Sequence, residues 1–290
     1  MAVSNLTARV VFAVVAIPVV LAIIWAGGFV LASLLAVAGA LATAEYYQVA
    51  RAGSYEPMEV VGVPLAFVLP IGVFGYHVGR FTPPVLTLGA VITLAVFALA
   101  IFARGPGGRP IAAAAITMFG LVYGAGFLSF AYGLRYHNYA VGREAGAVLL
   151  VYPLVLTWLS DTAGFVVGRS IGRHKLMASV SPGKTVEGAL GALVVCAVAS
   201  WAYAKWALPN GALLAMRPSI AVLFGIVISV AVQLGDLAES LIKREAGMKD
   251  SSHLIPGHGG VLDRIDGLLF ALPVAYLVFT FPHVLLPAIQ

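Results

Sequence analysis

The side chains best suited to chemistry crowd the last fifth of the chain. Residues 233–244 read Gln-Leu-Gly-Asp-Leu-Ala-Glu-Ser-Leu-Ile-Lys-Arg. Asp236, Glu239, Ser240 and Lys243 stand at i, i+3, i+4 and i+7, one stripe of a helix, with Leu237, Leu241 and Ile242 on its other faces. A polar stripe at the end of an apolar run fits a helix that lines a wet pocket. A helix end meeting water with i,i+4 ion pairs accounts equally well for Lys243 and Arg244 alone. Lys249-Asp250 follows, then Ile255-Pro256-Gly257-His258-Gly259-Gly260, then Asp263-Arg264-Ile265-Asp266. A proline with three glycines gives a backbone that turns tightly and brings its N–H groups near a ligand. His258 in that turn reads equally as a phosphate or base contact and as a turn residue. Asp263 and Asp266 share a helix face, and with Asp236 they offer three carboxylates. Oxygen-only donors suit a hard cation such as Mg²⁺, held by one or two carboxylates plus phosphate oxygens and water. Paired cysteines and an HExxH motif are both missing, which argues against zinc.

A second polar segment reads Ser179-Val-Ser181-Pro182-Gly183-Lys184-Thr185-Val-Glu187-Gly188. Gly183-Lys184-Thr185 imitates the end of a phosphate-binding P-loop. That motif needs a glycine where Ala178 stands, and a strand ahead of it that is not expected in this chain. A Ser-Pro-Gly-Lys-Thr turn before a helix still presents a lysine and backbone N–H groups to phosphate. Ser181 or Thr185 would also serve as an ordinary N-cap. More than half of the charged residues lie in segments 160–188 and 236–266.

The elements that position these residues must be membrane helices. Hydrophobic residues make up 61% of the 290 positions and charged residues 10%, against roughly a quarter charged in a soluble domain. So few charges cannot cover a water-facing surface, and disorder is excluded on the same ground. The lone Cys196 has no intramolecular partner, so a disulfide scaffold is excluded too. Apolar runs long enough to cross a bilayer fall at 10–27, 29–49, 60–79, 85–103, 111–133, 146–168, 188–208, 219–241 and 267–286. The expected fold is all-α and polytopic, with about nine transmembrane helices in a single membrane domain. Residues 1–145 are mainly scaffold spans, and 146–290 carry the catalytic spans and loops. With the N-terminus inside, inner segments hold most of the 17 Lys and Arg. The positive-inside rule then puts both polar segments on the cytoplasmic side. A net charge of +5 spread over several loops makes no basic stripe for nucleic acid.

The stretch from Ser240 through Lys243-Arg244, Lys249-Asp250, Pro256, His258-Gly259-Gly260 and Asp263-Arg264 to Asp266 resembles the signature of the phosphatidate cytidylyltransferase (CDP-diacylglycerol synthase) family, with each signature position filled. Ser160-Asp161-Thr162 with Gly164, Gly168-Arg169 and Ser181 through Gly188 are similar to that family as well. Gly183 departs from it, since many relatives carry a second lysine there. Phe165 stands where Tyr is common, and the N-terminal half matches only as apolar spans. The resemblance implies CTP and phosphatidate as substrates, CDP-diacylglycerol and pyrophosphate as products, and Mg²⁺ with room for a second, monovalent cation. It also implies a homodimer in the cell (inner) membrane, with the active site facing the cytoplasm.

Phosphatidate is a phosphate monoester, largely ionised near neutral pH because its second pKa is about 6, so a strong general base is unnecessary. What the reaction needs is two polyanions held in line, which makes positioning and electrostatics dominant. On this reading Asp236 and Asp263 bind Mg²⁺ together with Asp266, and Lys243 and Asp250 join them in catalysis. Ser181, Lys184, Thr185, Ser240, Arg244, Lys249, His258 and Arg264 hold the substrates, and Asp161 orients these cations. An Asp263→Asn change is expected to abolish product and leave folding intact. Two alternatives stand beside this one: a CTP-dependent polyprenol kinase, whose alcohol acceptor would need a poised base, and a cation-coupled transporter. A transporter predicts broken spans in both halves, whereas more than half of the charge here falls in two segments of the second.

Overall fold

The computed structural model describes residues 2–80, 85–138, 142–252, 254 and 259–288. Helices account for nearly all of it: α1 (Ala2–Ala26), α2 (Gly28–Ala52), α3 (Glu59–His77), α4 (Val85–Arg104), α5 (Pro110–Leu121), α6 (Phe127–Arg135), α7 (Gly142–Ile171), α8 (Val186–Ala212), α9 (Pro218–Glu245) and α10 (Leu262–Thr280). A π turn, Val122–Gly126, joins α5 to α6. Each of the nine expected runs lies on one of these helices, the fifth running through α5, the π turn and α6. Among the described residues seven helices are long and apolar enough to cross a membrane: α2, α3, most of α4, the α5–α6 run Pro110–Arg135, α7, α8 and α9. The ninth run was expected to reach residue 286, but α10 ends at Thr280. The α10 helix opens instead at Leu262 and takes Asp263, Arg264 and Asp266 into its first turns.

Among the described residues strands form two ribbons. Lys175–Met177 (β1) pairs antiparallel with Ser181–Thr185 (β2), and Leu214–Ala215 (β3) pairs with Leu286–Pro287 (β4). The first ribbon corrects the expectation that no strand precedes Gly183-Lys184-Thr185 and that this segment is a plain turn. The resemblance to a P-loop still fails, because the lysine lies within β2 itself rather than on a loop after it.

Two compact units make up the chain. The first comprises Met1–Val15, Gly28–Tyr132 and Ile242–Arg264. Its core is α2 against α3 and the α5–α6 run. Tyr47 is fully buried there and donates its hydroxyl to the Thr117 carbonyl at 2.7 Å. Thr43 donates to the Gly120 carbonyl at 3.2 Å. A side chain at Gly120 or Gly124 would collide with Tyr47 or Thr43. Small residues let membrane helices approach where no water is available to drive them together.

The second unit comprises Ala16–Gly27, Gly133–Leu241 and Ile265–Gln290. It is built on α7 packed along α8, where Gly188 faces the Gly164 carbonyl and Gly191 faces Val167 with no room for a Cβ. Tyr152 stacks on Tyr203 with ring centroids 4.2 Å apart and donates to the Ser200 carbonyl at 2.8 Å. Ser160 and Ser229 share a hydrogen bond of 2.9 Å. Cys196 is buried with its sulfur on the Leu156 carbonyl, as a packing residue should be.

Candidate active site

Lys184 and Asp236 meet in the second unit. The β1–β2 ribbon ends at Thr185, whose extended backbone and hydroxyl cap α8 by accepting from the Gly188 N–H at 3.1 Å. This places Lys184 one residue before the helix, where its Nζ lies 2.6 Å from Asp236 Oδ2. Ser240, one turn further along α9, donates to Asp236 Oδ1 at 3.4 Å. The lysine and aspartate side chains are 23% and 34% exposed. An accessible ammonium and carboxylate so close together can offer the lysine to an anion and the aspartate to a cation. Pro182 and Gly183 are exposed and Ser181 is half-buried. At the start of α10, Asp266 accepts from the Gly267 N–H at 2.8 Å.

In the first unit Lys243 meets Asp263. Its Nζ lies 2.6 Å from Asp263 Oδ1, with the side chains only 11% and 6% exposed. Asp263 Oδ2 accepts from the Ser251 N–H at 2.9 Å, the Ser251 hydroxyl at 2.8 Å and the Gly260 N–H at 2.7 Å. Gly259 has φ +78°, and a Cβ there would come within 2.5 Å of Asp263 Oδ2, so glycine is required on both counts. Arg244 is exposed and donates to the Met248 carbonyl at 3.0 Å. Lys249 and Arg264 are exposed, and Asp250 is half-buried. Pro256, Gly257 and His258 lie outside the described residues.

The expected metal can be set against these donors. Among the described residues no group of three or more His, Cys, Asp or Glu side chains is placed to hold a metal by itself. Each key aspartate instead has an ammonium 2.6 Å from one carboxylate oxygen, which marks the positions where a cation is favoured. Single carboxylates of this kind fit Mg²⁺ carried in on nucleotide phosphates, since Mg²⁺ takes only one or two protein carboxylates and completes its shell with phosphate and water.

A cavity of about 440 Å³ also lies in the first unit, lined by Tyr46, Tyr55, Ala115, Phe119, Ile242 and Glu245 among others. Its rim is polar. The Tyr55 hydroxyl donates to Glu245 Oε1 at 2.7 Å, and this bond to a carboxylate holds the phenol above its ordinary pKa.

A model of the cytidylyltransferase family matches residues 7–281. The chain belongs to that family. The phosphatidate cytidylyltransferase of Synechocystis is 30% identical over 98% of this chain and 99% of its own. That of Staphylococcus aureus strain COL is 30% identical over 92% of this chain and 96% of its own. The phosphatidate cytidylyltransferase of Haemophilus influenzae is 43% identical over a shorter match, 48% of either chain.

Two departures noted in the sequence can be placed in this cytidylyltransferase. At Gly183 nothing lies within 4 Å of where a Cβ would sit, so the lysine common among relatives has room. Phe165 is exposed on α7, with the Arg169 guanidinium 6.0 Å from its ring centroid. One buried residue of the first unit escaped sequence reasoning. Glu45, on α2, is 3% exposed and accepts from Ser251, Ser252, Val261 and Leu262. The signal was present, since a carboxylate inside an apolar span is costly and marks a site by default.

Proposed function

We propose that this chain transfers a cytidylyl group from CTP to phosphatidate. A phosphate oxygen of phosphatidate attacks the α-phosphorus of CTP, the bond from that phosphorus to the α,β-bridging oxygen breaks, and pyrophosphate leaves with the electron pair. CDP-diacylglycerol is the lipid product. The observation that carries the proposal is the 30% identity with the Synechocystis phosphatidate cytidylyltransferase over nearly the whole of both chains.

The site residues divide the work. Lys184 offers a partly exposed ammonium to phosphate, backed by Ser181, Thr185 and Ser240. Lys243 is held by Asp263 in a mostly buried position, where a charge acts through less water and so more strongly. Arg244, Lys249 and Arg264 extend positive charge over the exposed surface, and Asp250 and His258 are assigned to the same site. Asp236 and Asp263, with Asp266, are the carboxylates that would hold Mg²⁺. When bound, Mg²⁺ neutralises phosphate charge. A monovalent cation beside it, a homodimer, and a bacterial inner-membrane location with the site towards the cytoplasm complete the proposal.

The apolar recess with its Tyr55–Glu245 rim suits one chain of a lipid. Purified protein in detergent, given CTP, phosphatidate and Mg²⁺, should yield a lipid heavier by one cytidylyl group, together with pyrophosphate. An unchanged lipid, or a phosphorylated polyprenol when that alcohol is supplied, would overturn the proposal.

A further inference from the structure

We infer that Glu45, far from the signature segment in sequence, is a positioning residue for the reaction, because it ties Ser251 and Ser252 to Val261 and Leu262, beside the Asp263 contacts. The inference rests on the activity proposed above. Glu45 Oε1 accepts from the Ser252 hydroxyl at 2.8 Å and the Val261 N–H at 2.9 Å, and Oε2 from the Ser251 hydroxyl at 3.1 Å and the Leu262 N–H at 2.7 Å. One carboxylate therefore ties residues 251–252 to residues 261–262.

A packing role does not account for this arrangement. Each Glu45 oxygen faces a backbone N–H, which can only donate, so the position calls for an acceptor on both arms of the side chain. Both N–H groups lie at the start of α10, where negative charge is favoured by the helix dipole. The Ser251 hydroxyl lies within hydrogen-bond reach of both Glu45 Oε2 and Asp263 Oδ2, at 3.1 and 2.8 Å. Two buried carboxylates thus converge on one hydroxyl. Gly260 closes the arrangement, because any side chain there would collide with Glu45 and Ser251. The consequence is a fixed orientation for Asp263 and, through it, for the Lys243 ammonium. In phosphoryl-type transfer, misplacement by about 1 Å costs on the order of 10²-fold in rate.

The test uses the full chain in detergent. Glu45→Gln keeps the shape and turns an amide group towards one pair of donors. It should lower kcat by tenfold or more, leave KM for CTP within about twofold, and speed amide exchange at residues 251, 252 and 259–262 beyond that elsewhere in the chain. Tyr152→Phe, which loses a buried hydrogen bond in the other unit, should lower the melting temperature with kcat unchanged. If Glu45→Gln does not fold, Ser252→Ala decides by the same readouts, with a several-fold fall in kcat expected. Normal kcat in whichever variant folds, or unchanged exchange at residues 251, 252 and 259–262, overturns the inference. An inactive wild type would overturn the proposed activity, whereas an active wild type with a fully active Glu45→Gln overturns only the role of Glu45.

Discussion

Replacing each key aspartate by asparagine should separate catalysis from stability, because the two carboxylates are buried to different degrees. Asp263 is 6% exposed and accepts four hydrogen bonds, one from the Lys243 ammonium. Asparagine keeps a single oxygen there and aims an NH₂ group either at that ammonium or at the three donors from Ser251 and Gly260. Breaking a buried pair while leaving the partner charged costs about 3–5 kcal/mol. Asp236 is 34% exposed, and its pair with Lys184 is worth about 0–1 kcal/mol. Both variants should lose CTP-dependent product, but only Asp263→Asn should melt well below wild type in detergent. This revises the expectation from sequence that Asp263→Asn leaves folding intact. Adding Lys243→Met to Asp263→Asn should recover part of the loss, since the ammonium that faced Asp263 is then removed. Thermal unfolding of the three variants gives the comparison. Equal melting of Asp236→Asn and Asp263→Asn, or no recovery in the double variant, would refute the buried-pair argument.

Lys184→Ala should raise KM for CTP or phosphatidate by roughly tenfold, one lost charge-assisted contact of about 1.5 kcal/mol, with little change in melting; an unaltered KM for both removes its cradle role. Gly183→Lys fills open space beside Lys184 and should lower KM for CTP without loss of stability; aggregation or a higher KM would show that the position is not free. Cys196 is buried on the Leu156 carbonyl, so a membrane-impermeant thiol reagent should leave turnover untouched, and inhibition would place the thiol at the site.

What could be read from the sequence follows from range. The apolar runs were legible because a membrane span is a local pattern of about 20 residues. The stripe from Asp236 to Lys243 was legible because four residues of a helix lie within two turns. The structure buries Glu239 and Lys243 along it and leaves Leu241 exposed, as that stripe requires. Glu45 was passed over because its partners lie more than 200 residues away, and no window of sequence joins them. The β1–β2 ribbon was missed because Ser-Pro-Gly-Lys-Thr has no alternating apolar pattern. Its strand character comes from pairing with Lys175–Met177, not from propensity. Which lysine each aspartate holds was also hidden, since residue types fix charge but not partners.

The most direct test of the central claim follows the phosphorus of CTP. Two reactions with phosphatidate and Mg²⁺, one with CTP labelled at the α-phosphate and one at the γ-phosphate, are extracted and the lipid fraction is counted. The account predicts α-label in lipid and γ-label in released pyrophosphate. Label from the γ-position in lipid, or none from either, would contradict it.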